Sequence, residues 1–151
     1  MKRNKIIYII AGFLMIVVLV MGYFNVSFSL PTTFKEMVEK QIIQDEQLVM
    51  TNLDMERIAS IRIEVPFSGE EEVRIKDKDV ISTLLHHELR IYNGGRYKES
   101  NDEFDLYIRF YGSTHRYTIA KEYIKTDDGN YIVLDDKNSL FEYMETLYEG
   151  K

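Results

Sequence analysis

Residues 6–24 form an unbroken run of nineteen residues without a charge, introduced by Lys2, Arg3 and Lys5. As a helix the run would extend roughly 28 Å, close to the ~30 Å hydrocarbon core of a bilayer. Twelve of its residues are Leu, Ile, Val or Phe. Together they contribute on the order of −4 to −7 kcal/mol on an insertion scale, with no charge to offset them. Tyr8, Tyr23 and Phe24 stand near the two ends, where an aromatic belt would lie. The expectation is a transmembrane helix, because a small domain seldom offers a helix an apolar surround on every side. The basic residues precede the run, and the next one is Lys35. That asymmetry places the tail 1–5 in the cytoplasm and the rest outside, a single-pass protein of the cytoplasmic membrane with the bilayer as its first partner. A cleaved signal peptide competes: Ser27-Phe28-Ser29 offers a small-x-small site, but the run exceeds the usual h-region of roughly 7–15 residues.

Beyond residue 24, 16 Lys and Arg stand against 25 Asp and Glu, a net charge of −9. The length suits one domain with one core. The acidic balance argues against nucleic acid and anionic membrane surfaces as partners. The chain has no cysteine, which excludes disulfides, thiol catalysis, cysteine metal sites and a thiol-linked lipid. Neither an internal repeat nor a low-complexity tract is present.

Residues 25–53 read as a tether and a juxtamembrane amphipathic helix. Thr33 and Glu36 have the spacing of a capping box, and Phe34, Met37, Val38 and Ile42 follow at helical spacing, predicting a helix over 34–47. From Ser60 the period changes to two. Ile61, Ile63 and Val65 alternate with charged residues, Pro66-Phe67-Ser68-Gly69 turns the chain, and Val73 and Ile75 continue the pattern. This predicts a hairpin with one apolar and one charged face, whose opposite charges suit cross-strand pairing. Asp77 caps a helix striped by Val80, Ile81, Leu84, Leu85 and Leu89, which Asn93-Gly94-Gly95 ends. The polar stretch 92–103 is long for a connection. Phe104, Leu106, Ile108 and Phe110 alternate cleanly with polar residues, and Gly112-Ser113 predicts a two-residue turn into a strand carrying His115, Tyr117 and Ile119 inward. The phase breaks near residues 120–122, where a bulge or bend is expected. Asp127-Asp128-Gly129-Asn130 turns into a strand over 131–134, and Asp135 or Asp136 caps a last helix with Leu140, Phe141, Met144, Leu147 and Tyr148 on one face.

The fold class that follows is α+β: a transmembrane helix, then a two-layer domain over 54–151. That domain has a five-stranded, mainly antiparallel sheet in the order ββαβββα with helices on one face. Ser60–Val65, Ile75-Lys76-Asp77 and the Asp-Gly-Asn-Tyr-Ile-Val of residues 128–133 resemble strand and turn segments in exported domains of small membrane-anchored proteins and lipoproteins of Gram-positive bacteria. The resemblance implies a location and a fold, and brings no catalytic residues.

Catalytic chemistry finds no motif here. His86-His87-Glu88 are consecutive, so on a helix their side chains diverge by about 100° and cannot converge on one ion. The acidic segments 127–130 and 135–136 do not follow the calcium-loop order and suit a hairpin turn and a helix cap. There is no G-x-S-x-G, S-x-x-K or H-E-x-x-H. The reading is no enzyme, no cofactor and no metal.

One constellation is more specific. A Gly112-Ser113 turn would set Arg109 opposite Arg116 on the outer face, flanked by Tyr107 and Tyr111. Facing like charges are unfavourable unless something anionic sits between them. Asp105, Glu122 or an acid on a neighbouring strand could supply it from within. Otherwise a carboxylate, phosphate or acidic segment of a partner would, since tyrosine and arginine are the residue types of interface hot spots. The expected function is a non-catalytic protein-interaction or regulatory module of the cell envelope, holding another envelope protein either on the open sheet face, through Tyr107, Arg109, Tyr111 and Arg116, or on the 92–103 loop. The alternative is an extracytoplasmic solute- or ion-binding domain.

Overall fold

One antiparallel sheet carries almost every side chain of interest. The structure, a computed structural model, describes residues 12–16, 31–66, 69, 71–94 and 102–150. Strands β1 (Thr32–Thr33), β2 (Ile58–Glu64), β3 (Val73–Ile75), β4 (Arg90–Asn93), β5 (Glu103–Phe110), β6 (Thr114–Ala120), β7 (Tyr123–Thr126) and β8 (Gly129–Val133) form it. Their order across the sheet is β1-β4-β8-β7-β6-β5-β2-β3, and every pair is antiparallel. Helices α1 (Phe34–Gln44), α2 (Lys78–Leu85) and α3 (Ser139–Glu149) supply the second layer.

The α+β class agrees with the sequence reading, but the five-stranded sheet does not stand: the described residues form eight strands. Two of the three additional ones were masked by a neighbouring pattern. Leu89 continues the apolar spacing of α2, yet the helix stops at Leu85 and β4 begins at Arg90. His86 and His87 turn back there, each ring Nδ1–H donating to the carbonyl four residues earlier, at 2.8 and 2.9 Å. The phase break at 120–122 is a tight turn between β6 and β7. β1 is two residues long, too short for any period to register.

The membrane expectation is also overturned. No helix among the described residues is long and apolar enough to cross a bilayer. Within 6–24 only residues 12–16 are described, helical and exposed. They span roughly 8 Å of the ~30 Å required, and the remainder of the run lies outside the described residues. The single-pass topology and the extracytoplasmic location rested on that helix and fall with it.

The capping signals place the helices well. Thr33 Oγ1 accepts from Glu36 N–H, and the Glu36 carboxylate accepts from Thr33 N–H at 2.9 Å, closing the box that starts α1. Asp77 accepts the N–H groups of Asp79 and Val80 at the start of α2. The cap of α3 is Asn138 instead of either aspartate. Its Oδ1 accepts Phe141 N–H while its Nδ2 donates to Ala120 O at 2.7 Å, tying the helix to the end of β6. Asp135 serves elsewhere, accepting from both the backbone and the side chain of Arg90. Lys78 holds α2 to the 3₁₀ turn at Met55–Arg57, its ammonium donating to the carbonyls of Met55, Glu56 and Ile58.

A single core lies between the layers. Phe34, Val38 and Ile42 of α1, Ile81, Leu84 and Leu85 of α2, and Leu140, Phe141 and Met144 of α3 meet Ile61, Ile63, Leu106, Ile108, Tyr117, Ile119 and Ile124 of the sheet. Phe34 packs edge-on against Tyr117, and Phe104 meets Phe141 and Tyr148. The alternate residues of β2, β3, β5 and β6 point away from this core.

Candidate functional site

The outward residues of these four strands form ordered rows. Arg74 faces Arg62 across β3–β2, Arg62 faces Tyr107 across β2–β5, and Tyr107 faces Arg116 across β5–β6. At about 4.8 Å per strand the row covers roughly 14 Å. Beside it on one side run Glu64, Asp105 and Thr118, and on the other Ser60, Arg109 and Thr114. A bulge at Ala59 separates the Ile58 and Ser60 pairings next to Arg109.

The expected Arg109–Arg116 pair does not form. The β5–β6 turn centres on Tyr111-Gly112, with Phe110 N–H donating to Ser113 O at 2.9 Å and Gly112 at φ +123°, a conformation suited to glycine. Moving a turn by one residue shifts the cross-strand partners by two. Each side chain keeps its face, but Arg109 now faces Thr114 and Arg116 faces Tyr107. Tyr111 sits at the turn and is exposed.

Each of the four arginines has its own electrostatic setting. Arg116 forks onto Asp105 through Nε at 3.2 Å and Nη2 at 2.6 Å, and Thr118 Oγ1 donates to the same carboxylate at 2.7 Å. Asp105 is 2% exposed, and its hydrogen bonds hold the Arg116 guanidinium above its ordinary pKa. Arg62 stacks on the Tyr107 ring, 4.0 Å from its centroid, while Arg116 lies 5.8 Å from the same ring. Burial first, and then a hydrogen bond to Glu64, hold the Tyr107 phenol above its usual value.

Arg62 and Arg74 are directly opposed like charges of the kind the sequence pointed to, two strand pairs away on β2–β3. The anion between them is Glu72, which accepts from Arg62 Nη1 at 3.1 Å and from Arg74 Nη2 at 2.7 Å. Hydrogen bonding, chiefly from Arg74, lowers the Glu72 pKa. The Arg109 side chain is exposed and has no hydrogen bond or ion pair among the described residues. With Ser60, Arg62, Arg74, Tyr107 and Thr114 it lines an open recess of about 300 Å³.

Of the expected site residues, Tyr107 and Arg109 line this recess, Arg116 is committed to Asp105, and Tyr111 stands apart at the turn. Arg62, Arg74 and Glu72 were missed. Their hairpin was legible as a charged face; that β2 lies beside β5 was not, since neighbours distant in sequence leave no local signal.

A second cluster carries three residue types of a catalytic triad without its geometry. Asp45, just after α1, accepts from Ser113 Oγ at 2.7 Å and from His115 Nε2 at 2.9 Å through the same oxygen. A nucleophilic serine must be bonded to the imidazole base, whereas here the carboxylate holds both. The cluster is a latch between α1 and the β5–β6 turn. Among the described residues no group of three or more His, Asp or Glu side chains could hold a metal ion.

An antiparallel α+β sheet with one open, arginine-lined face is what the structure defines. No family model matches the chain, and neither a curated protein nor a solved structure is similar to it.

Proposed function

We propose that this chain is a non-catalytic interaction module that holds a partner protein against the outer face of its sheet. The observation that carries the reading is Arg109: an exposed guanidinium without an anionic neighbour among the described residues, beside Arg62, Arg74 and the Tyr107 ring. Stacked and forked arginines around tyrosine are rigid, partly desolvated anchors, the kind on which binding energy concentrates. The acidic balance of the chain makes this cationic row locally exceptional, so it selects partners by charge. A solute- or ion-binding domain is favoured less, because the space between sheet and helices is filled by side chains such as Phe34, Ile42 and Tyr117, all fully buried.

The test is site-specific photo-cross-linking of the full chain in the cells that make it, with the photoreactive residue replacing Thr114 or, as a control on the helix layer, Glu145. The expected result is one partner captured from position 114 and not from 145, cross-linked through an acidic segment and lost with Arg109→Glu. Equal capture from both positions, or capture that Arg109→Glu leaves intact, overturns the reading.

A further inference from the structure

We infer that the recess lined by Arg62, Arg74 and Arg109 is a carboxylate-binding site for an acidic peptide segment, and that Glu72 is its built-in competitor. This rests on the docking reading above and names both the ligand chemistry and its control. Two arginines directly across a strand pair repel unless an anion bridges them, and in this chain the bridge is a carboxylate with one oxygen on each guanidinium. The site therefore already displays the group it accepts. Among the described residues, three cations, Arg62, Arg74 and Arg109, stand against two carboxylates, Glu72 on both of the first two and Glu64 at 3.7 Å from Arg62. One positive charge remains, on Arg109.

A single incoming carboxylate balances that charge with Glu72 in place; a second can enter only as Glu72 leaves. Glu72 can leave easily. Its side chain is 38% exposed, it precedes β3 instead of lying within it, and exposed pairs of this kind are held by little net free energy. Asp105 on the same face is the contrast, since its side chain is 3% exposed and fixed to Arg116. Acidic peptide is favoured over a phosphate group because the residual charge matches one carboxylate at a time, whereas a phosphate dianion requires Glu72 to be displaced before it can be neutralised.

The experiment titrates the full-length protein into dye-labelled hexaglutamate at low salt and follows fluorescence anisotropy, with inorganic phosphate and free glutamate as competitors. Variants are Glu72→Gln, Arg109→Ala and, as a control for net charge alone, Glu145→Gln. Glu72→Gln is expected to tighten binding about two- to fivefold, the range of an exposed ion pair. Arg109→Ala should weaken it about tenfold, as the loss of a charge-assisted hydrogen bond does. Glu145→Gln should change nothing. If wild type binds but Glu72→Gln does not tighten binding, or tightens it no more than Glu145→Gln, the competitor is refuted. If phosphate displaces the peptide at lower concentration than free glutamate does, the carboxylate assignment is refuted. If neither wild type nor Glu72→Gln binds hexaglutamate, the inference fails. The docking reading is decided separately, by the cross-linking from positions 114 and 145.

Discussion

Asp105 and Glu72 stand on one face of the same sheet, each bonded to arginine, and they are opposite kinds of contact. Asp105 is buried under Arg116 and Thr118. Glu72 bridges Arg62 and Arg74 in the open. A desolvated carboxylate cannot lose its partner cheaply, because water does not replace the missing hydrogen bonds. An exposed one can, because water does. The same chemical pair is therefore structural in one half of the face and exchangeable in the other.

The largest effect should come from stripping Asp105 of its cation. Arg116→Ala leaves the buried carboxylate with Thr118 alone and is expected to cost about 2–3 kcal/mol. Urea denaturation reads this as a lower midpoint with an unchanged slope. Adding Asp105→Asn removes the orphaned charge and should recover part of the loss. A single variant no less stable than wild type would place Asp105 with Glu72 instead of against it.

Asp45 is intermediate, its side chain 14% exposed. Asp45→Ala leaves the Ser113 hydroxyl and the His115 N–H without their acceptor, a loss of about 1 kcal/mol. The hydrogen bond from Ser113 leads in depressing the Asp45 pKa below its ordinary 3.8. A depressed pKa adds stability that is complete above the unfolded value and disappears as pH falls through the folded one. Wild type should therefore lose stability below about pH 4 more steeply than Asp45→Ala. Parallel profiles would show that the latch contributes nothing in its charged form.

Glu72→Gln closes the series at the exposed end and should leave the urea midpoint unchanged, however much it alters peptide binding. A large drop would mean that the Arg62–Arg74 opposition needs its anion for folding, and the exchangeable half of the face would not exist.

What the sequence made visible follows how local each determinant is. The Thr33–Glu36 box and the Asp77 cap act within one helical turn, so the residues named both. The inside–outside alternation of β5 and β6 survived a misplaced turn, because a two-residue slip preserves side-chain facing. Partners did not survive it: Arg116 meets Tyr107 and Asp105, and Arg109 meets Thr114. Strand β4 was hidden because Leu89 fits a helical stripe as readily as the residue before a strand. The uncharged run 6–24 was read from its fitness for lipid, a property of composition that does not by itself establish a spanning helix.

Tyr117 provides a small stability effect of opposite sign. Its ring is wholly buried against Phe34, yet its hydroxyl has no hydrogen-bond partner among the described residues. Burial, with the nearby acids Asp128 and Asp127 behind it, drives the phenol pKa upward, so the group stays neutral and its dipole is what the core must hold. An unsatisfied buried hydroxyl costs desolvation and returns nothing, whereas the benzyl ring keeps the packing without it. Tyr117→Phe should therefore leave stability unchanged or raise it by up to about 1 kcal/mol. Where Asp105 shows a buried polar group that cannot lose its partner, Tyr117 is one with no partner to lose. A destabilised Tyr117→Phe variant would mean the hydroxyl is bonded in solution and that both residues obey the same rule.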